Sequence, residues 1–329
     1  MQKKSIIIND LCIFNQNNIV LKKSVCCVKI KMYFCAERSV VMKTCVSSYS
    51  FSAYSDKTGA SQKDLIKKAK ELGFDAIEFI DLSPENGLTQ LQYAEILREE
   101  SEKVGLPIAN YTIGADFLNC DDFGKEVERL CTQVDIAKIL GAKGMRHDAT
   151  VGYKSEEKAY KGFAEALPVL ADGCRQVTEY AKSQGIVTMV ENHGFFCQES
   201  SRVERLVGAV GNPNFGWLVD VGNFLCGDDD PAVAVGRAAP MAKYVHVKDF
   251  HIKSGSELDP GKGFFTTRGG TYLRGAILGH GNVPVLQCLK TLSRNGYDGY
   301  VSVEFEGMED NIPALEICLE NLKNMINLL

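Results

Sequence analysis

The segment Val187-Thr-Met-Val-Glu191 shows the pattern that decides the fold, because four apolar or β-branched residues lead into a single glutamate. Such a run is typical of a strand that is buried on both faces, and its polar last residue marks the carboxyl end. Three later segments end in the same way, in one side chain that can bind a metal: Trp217-Leu-Val-Asp220, Tyr244-Val-His246 and Val301-Ser-Val-Glu304. The four ends predict one shared edge of a parallel sheet.

Strand-like and helix-like segments alternate along the chain from Met42 onward. The predicted strands cover residues 44–49, 74–79, 107–112, 143–147, 186–191, 215–220, 242–248 and 299–304. The predicted helices have apolar residues at helical spacing and cover residues 61–72, 87–104, 122–140, 156–184, 199–210, 231–239, 283–295 and 311–327. Eight β/α units with right-handed crossovers predict an α/β fold, a (β/α)8 TIM barrel that forms a single domain over residues 42–329. An open doubly wound sheet is the alternative.

Residues 1–41 differ in character from the rest of the chain, with seven basic residues against two acidic ones and no sustained helical or strand period. The apolar stretch Ser5–Ile8 is too short for the apolar region of a secretory signal. We therefore predict a disordered N-terminal extension over residues 1–41, with Met42 as an alternative start.

The composition argues against several classes of protein. A net charge of −5 gives no general attraction for a phosphate backbone, and no apolar run approaches the roughly 18 residues of a membrane span. The sequence therefore predicts neither nucleic acid nor a membrane as a partner. The 12 cysteines are scattered without CxxC pairs, which predicts free thiols and a cytoplasmic location.

The four polar strand ends also predict a metal site, because the carboxyl ends of barrel strands meet at the mouth where active sites lie. Three carboxylates and one imidazole favour one divalent cation, with Mn²⁺ as the first choice and Mg²⁺, Co²⁺ or Zn²⁺ as alternatives. The predicted ligands are Glu191, Asp220, His246 and Glu304.

Strand alternation brings further polar side chains to the mouth, since residues two apart share a face. His193 and Lys248 each lie two residues after a predicted ligand. In the fourth strand the alternation leaves two registers open, one with Arg146 inward and one with His147 inward. The predicted substrate contacts are His193, Lys248, Arg146, His147, Asn223 and His280.

The connection over residues 250–282 is the longest between a predicted strand and the next helix. A loop of this length is usually functional, and we predict a structureless lid or substrate-gripping element that includes His280. We interpret Asp249, just before this connection, as a solvated carboxylate or a helix cap.

Five motifs carry a family resemblance: Glu191-Asn-His-Gly, Trp217-Leu-Val-Asp220-Val-Gly-Asn223-Phe, Val245-His246-Val-Lys-Asp249, Leu278-Gly-His-Gly281-Asn-Val-Pro and Tyr297-Asp-Gly-Tyr-Val-Ser-Val-Glu304-Phe-Glu-Gly. As a set they resemble the xylose isomerase-like TIM barrel superfamily, in particular the sugar phosphate isomerase/epimerase group of the D-tagatose 3-epimerase type. The resemblance covers residues 42–329. It implies one divalent metal on the four predicted ligands, with Glu191 and Glu304 also moving a proton beside the carbonyl of a sugar through an enediolate.

One position departs from the family pattern, because many epimerase-type members have a histidine where this chain has Asn223. The contacts to the sugar hydroxyls therefore differ, and the sequence does not choose the substrate or its phosphorylation state. We leave open a homo-oligomer or a partner subunit.

Other reactions on the same scaffold are alternatives to a sugar isomerase or epimerase. An inosose-type dehydratase, or a subunit that cleaves C-glycosides of a 3-keto sugar, uses the same proton abstraction, and His147 and His193 as extra acids favour these lyases. An endonuclease IV-like repair enzyme needs a histidine-rich site for three zinc ions, whereas this chain has five histidines in all. An inactive binding subunit is the remaining alternative, and the four ligands argue against it.

Overall fold

The computed structural model describes residues 42–329, which form one unit around a closed parallel barrel. The barrel strands are β1 (Lys43–Ser47), β2 (Ala76–Phe79), β3 (Ile108–Ile113), β4 (Gly144–His147), β5 (Val187–Glu191), β6 (Phe215–Asp220), β7 (Ala242–Val247) and β11 (Tyr300–Val303). The predicted single-domain (β/α)8 TIM barrel is confirmed. The predicted extension, residues 1–41, lies outside the described residues.

Helices cover the outside of the barrel, because the strands are buried on both faces and need a second apolar layer. The helices are α1 (Ser52–Thr58), α2 (Gln62–Leu72), α3 (Gln90–Val104), α4 (Phe123–Leu140), α5 (Phe163–Gln184), α6 (Ser200–Val210), α7 (Pro231–Ala238), α8 (Val285–Arg294) and α9 (Asn311–Ile326). Among residues 42–329, no helix is both long and apolar enough to cross a membrane.

The helix ends follow the local sequence signals. α2 begins at a capping box in which Ser61 and Asp64 satisfy each other's backbone amide groups. Gly73, Gly105 and Gly141 close α2, α3 and α4 with φ values of 92°, 67° and 79°, which glycine adopts at little cost. The largest difference from the predicted bounds is in α5, which begins at Phe163 rather than at residue 156.

The connection after β7 contains a small antiparallel sheet, so the prediction of a structureless loop is wrong. Its strands are β8 (Asp249–Lys253), β9 (Phe265–Thr266) and β10 (Tyr272–Ala276), and β10 pairs with both of the others. Glycine and charged residues break the apolar alternation here, although Phe250 and Leu273 of this sheet are buried in the core. The backbone ladder therefore supplies only part of its order.

Asp249 anchors this insertion to the barrel, and its interpretation as a solvated carboxylate is wrong. The residue is 2% exposed. Its carboxylate accepts hydrogen bonds from the backbone N–H groups of Phe250 at 2.8 Å, Gly279 and Gly281 at 2.9 Å, and Val283 at 3.0 Å. A side chain at Gly281 would collide with that carboxylate. One carboxylate side chain thus closes both ends of the insertion.

We expect Asp249→Asn to lower the free energy of unfolding by about 3 kcal/mol, because an amide places N–H groups against backbone donors that are left buried. Urea unfolding followed by circular dichroism measures the change. Asp259→Asn is the matched control, since Asp259 is exposed in the same connection. Equal stability of the two variants would contradict the anchoring role.

Candidate metal centre

Glu191, Asp220, His246 and Glu304 come together where four neighbouring barrel strands end. Each residue offers one ligand atom, and these atoms all lie within 4.8 Å of one another. β5, β6, β7 and β11 are adjacent in the barrel, and the register sets Asp220 directly opposite His246. The structure therefore assembles the predicted quartet into one cluster.

Asp220 presents one oxygen to this cluster. Its Oδ1 accepts hydrogen bonds from the backbone N–H groups of Gly222 at 2.8 Å and Asn223 at 2.9 Å. Its Oδ2 is buried and has no hydrogen-bond partner among the described residues. Asn192 holds the end of the strand in place, donating to the Asp220 carbonyl oxygen at 2.8 Å and accepting from its N–H at 3.1 Å. An unpaired buried carboxylate oxygen is costly, so this geometry suits a cation.

Glu191 is held by one partner on each oxygen. Asn223 Nδ2 donates to Oε1 at 2.9 Å, and Arg146 NH2 lies 2.8 Å from Oε2. Oε1 is the oxygen near the cluster, 3.9 Å from His246 Nδ1. The side chain is thus arranged to offer a metal a single oxygen, as a ligand that also moves a proton requires.

Glu304 also faces the cluster with one oxygen. Its Oε2 lies 3.6 Å from His246 Nδ1 and 2.8 Å from Lys248 Nζ. Its other oxygen, Oε1, has no hydrogen-bond or ion-pair partner among residues 42–329, and the residue lines the cavity described below. Glu304 therefore combines an anchored oxygen with one that a bound molecule can reach.

Glu78 is a functional candidate that the sequence analysis missed. It is fully buried in β2, with Oε1 2.5 Å from His246 Nε2. A carboxylate at Nε2 keeps the proton on that nitrogen and leaves the Nδ1 lone pair for a metal. The signal in the sequence is a single acid within the otherwise apolar strand Ala76-Ile-Glu-Phe79.

The surroundings shift the pKa values of Asp220 and Glu304, the two acids beside His246 and Lys248, in opposite directions. Burial raises the pKa of Asp220, with Lys248 opposing the rise and Glu191 adding to it. Burial also opposes charge on Glu304, but Lys248 and His246 hold the pKa of Glu304 well below its usual range. Crowded carboxylates of this kind gain from further positive charge, and the unpaired Asp220 Oδ2 and His246 Nδ1 supply donor atoms for it. The residues therefore fit a divalent metal ion.

A cavity of about 310 Å³ opens beside the cluster, at the small end of the range for ligand pockets. Three of the predicted substrate contacts, Arg146, His193 and Lys248, line it on the metal side. Tyr49 and Asp81, from the connections after β1 and β2, lie in its wall and were not predicted. His193 Nδ1 lies 3.0 Å from Asp148 Oδ1, which leaves its Nε2 for a bound molecule.

Three predicted substrate contacts lie elsewhere. His147 is buried between the rings of Phe117 and Phe215, because β4 turns Arg146 rather than His147 toward the mouth. Burial lowers the pKa of His147, so the ring is a neutral part of the core. The predicted roles of Asn223 and His280 also lack support: Asn223 lies behind Glu191, where it bonds that carboxylate, and exposed His280 does not line the cavity.

Comparison with known proteins agrees with this architecture. Residues 66–327 match the xylose isomerase-like TIM barrel family. The chain belongs to this family. An inosose dehydratase from Clostridium perfringens (strain 13 / Type A) is 23% identical over 222 residues, covering 64% of this chain and 73% of that protein.

Solved structures of the xylose isomerase-like fold superpose on most of the chain. One, a protein from Mycobacterium smegmatis in complex with magnesium, has a TM-score of 0.66 at 16% identity and covers 88% of this chain and 97% of its own. Another, an L-ribulose 3-epimerase, has a TM-score of 0.63 at 17% identity and covers 87% of this chain and 95% of its own. At these identities the likeness shows the fold. The ligand geometry of Glu191, Asp220, His246 and Glu304 itself fits a divalent metal.

We expect Glu78→Gln to weaken metal binding about 10- to 100-fold, the usual effect of removing a carboxylate behind a histidine ligand. Competition with a fluorescent chelator measures the dissociation constant without reference to activity. Glu100→Gln is the matched control, because Glu100 is a carboxylate of 4% exposure that pairs with lysines on the helical layer. Unchanged metal affinity in Glu78→Gln would refute its role in orienting His246.

Proposed function

We propose that this protein is a divalent-metal-dependent sugar isomerase or epimerase, which removes a proton beside a carbonyl and proceeds through an enediolate. The observation that carries this proposal is the arrangement of Glu191 and Glu304. Each lies in the metal cluster with one oxygen held by a buried cation, and both line the same cavity. Two fixed carboxylates beside one cavity suit removal and return of a carbon-bound proton.

A divalent cation on the quartet would polarise the carbonyl and stabilise negative charge on the enediolate oxygens, and the oxygen-rich ligand set favours Mn²⁺. Glu304 accepts the proton from the carbon beside the carbonyl, and the electron pair moves into the enediolate. Return of a proton to the neighbouring carbon gives an isomer. If Glu191 starts protonated, delivery of its proton to the opposite face of the same carbon gives an epimer, after which Glu304 loses a proton to solvent and Glu191 regains one. Lys248 and Arg146 keep the glutamates in position through these steps.

A second candidate, a dehydratase, is favoured by the contact between His193 and Asp148. In an elimination, Glu304 takes the proton, the enediolate electrons expel the β-hydroxyl, and an acid protonates the leaving oxygen so that water departs. His193 lines the cavity and is fixed through Nδ1, so its Nε2 suits the acid. The similarity to an inosose dehydratase supports the same candidate.

Mass spectrometry of the products separates the two candidates. Metal-loaded protein is incubated in D₂O with ketoses, inososes and 3-keto-glycosides. A product of unchanged composition apart from deuterium supports the isomerase or epimerase, whereas a product lighter by one water supports the dehydratase. Full metal loading with neither deuterium incorporation nor loss of water in any substrate class would contradict both.

A reducing compartment fits the described part of the chain, in which eight cysteines are free thiols. We therefore propose a cytoplasmic location. The proposed partner is a small sugar or sugar derivative rather than a nucleic acid or a membrane.

A further inference from the structure

The wall of the cavity is strongly acidic. Five carboxylates line it: Asp81, Asp148, Glu191, Glu304 and Glu306. Within residues 42–329, one arginine and one lysine line the cavity: Arg146 and Lys248. A divalent cation bound by three carboxylates does not reverse the sign of this charge. Among the lysine and arginine side chains of the described residues, a phosphate ester in the cavity would have only these two to pair with.

Arg146 is already committed to protein acceptors. Its NH2 lies 2.8 Å from both Asp148 Oδ1 and Glu191 Oε2, and its NH1 donates to the Ile113 carbonyl oxygen at 3.2 Å. The residue is 7% exposed. Its Nε has no hydrogen-bond partner but is buried. To reach the Nη2 donors, a phosphate would have to displace a carboxylate that belongs to the metal cluster or to the His193 contact.

Lys248 is committed in the same way. An ammonium group has three donors, and Nζ faces three acceptors: Glu306 Oε1 at 2.7 Å, Glu304 Oε2 at 2.8 Å and Asn223 Oδ1 at 3.3 Å. At 4% exposure it has no free donor for a ligand anion. The contacts of Lys248 hold Glu304 and Glu306 in place and leave no N–H donor that could bind a phosphate.

One side of the usual place for a phosphate in a TIM barrel is acidic in this chain. That place is formed by the loops after the seventh and eighth barrel strands and by a helix N-terminus. In this chain Glu306, Glu309 and Asp310 occupy the segment between β11 and α9. The connection after β7 contains four basic residues that do not line the cavity, Lys253, Lys262, Arg268 and Arg274. The Asp249 carboxylate at its start already uses the nearby backbone N–H groups.

We propose that the substrate is an unphosphorylated, uncharged polyhydroxy ketone, and that Glu306 is a residue that rejects phosphate esters. This inference rests on the proposed function and adds the charge class of the substrate. Sugar hydroxyls donate hydrogen bonds to carboxylates, and Asp81, Asp148 and Glu306 supply such acceptors in the wall. A phosphate dianion only accepts hydrogen bonds, and these acids repel it.

The test compares matched pairs in metal-dependent deuterium exchange followed by NMR. The probes are L-ribulose with L-ribulose 5-phosphate, D-fructose with D-fructose 6-phosphate, and an unphosphorylated inosose. We expect kcat/KM for the free ketone to exceed that for its phosphate by about 100-fold, since like charges placed together cost several kcal/mol. Equal or faster exchange of the phosphate overturns the charge-class inference and leaves the proposed function intact. Exchange with none of the probes overturns both.

The variant Glu306→Gln tests the role of Glu306 within the same assay. Removing this charge lessens the repulsion of a phosphate and weakens the hold of this side chain on Lys248, so we expect the preference for the free ketone to fall at least tenfold, mainly through a lower KM for the phosphate. Glu95→Gln, on the exposed face of α3, is the control and keeps the wild-type ratio. A ratio in Glu306→Gln equal to that of the control would refute the assignment of Glu306.

Discussion

Glu304→Gln is expected to reduce turnover by about 10³-fold while leaving the fold intact. The amide keeps the size of the side chain but cannot accept the proton that general base catalysis transfers, a step worth about 10² to 10⁴ in rate. Circular dichroism and urea unfolding establish that the variant is folded. Steady-state kinetics on the substrate found by the exchange screen then measure kcat.

The control for this variant is Glu320→Gln, in which an exposed acid on α9 is changed in the same way. It should retain wild-type kinetics. If Glu304→Gln keeps kcat within a few-fold of the wild type at full metal loading, Glu304 is not the base and the mechanism is wrong.

Removal of the metal by a chelator is expected to abolish turnover and to lower the melting temperature. A ligand present at 100 times its dissociation constant stabilises the native state by about 2.7 kcal/mol. For a domain of this size we expect a fall of roughly 5 °C. The physical reason is that the carboxylates around His246 repel one another more strongly once the positive charge of the metal has been removed.

Differential scanning calorimetry with and without Mn²⁺ measures this shift. Asp220→Asn is the informative control, because it removes the ligand whose Oδ2 has no hydrogen-bond partner in the described chain. Its melting temperature should not respond to Mn²⁺. An equal metal-dependent shift in wild type and Asp220→Asn would place the stabilising metal elsewhere.

The barrel and the metal quartet could be predicted because the same local pattern recurs in successive units. Each ligand follows an apolar strand, and the carboxyl ends of parallel strands must meet at one mouth. The inward direction of Arg146 could not be chosen from the sequence. All four residues of β4 are buried, so no solvent-exposed face fixes the register.

Glu78 and Asp249 were missed for another reason. Their roles depend on partners far away in the chain: Glu78 contacts His246, and Asp249 binds the backbone at Gly279 and Gly281. A single acid in an apolar strand signals that a partner exists but not which one it is. Only the closed barrel and the folded insertion bring these groups together.

The measurement that tests the central claim most directly is deuterium incorporation at the carbon beside the carbonyl of a free ketose or inosose, with bound metal quantified in the same sample. The account predicts about one divalent ion per chain, exchange that stops on chelation, and recovery with Mn²⁺. Exchange that continues at full rate in the metal-free protein would contradict it.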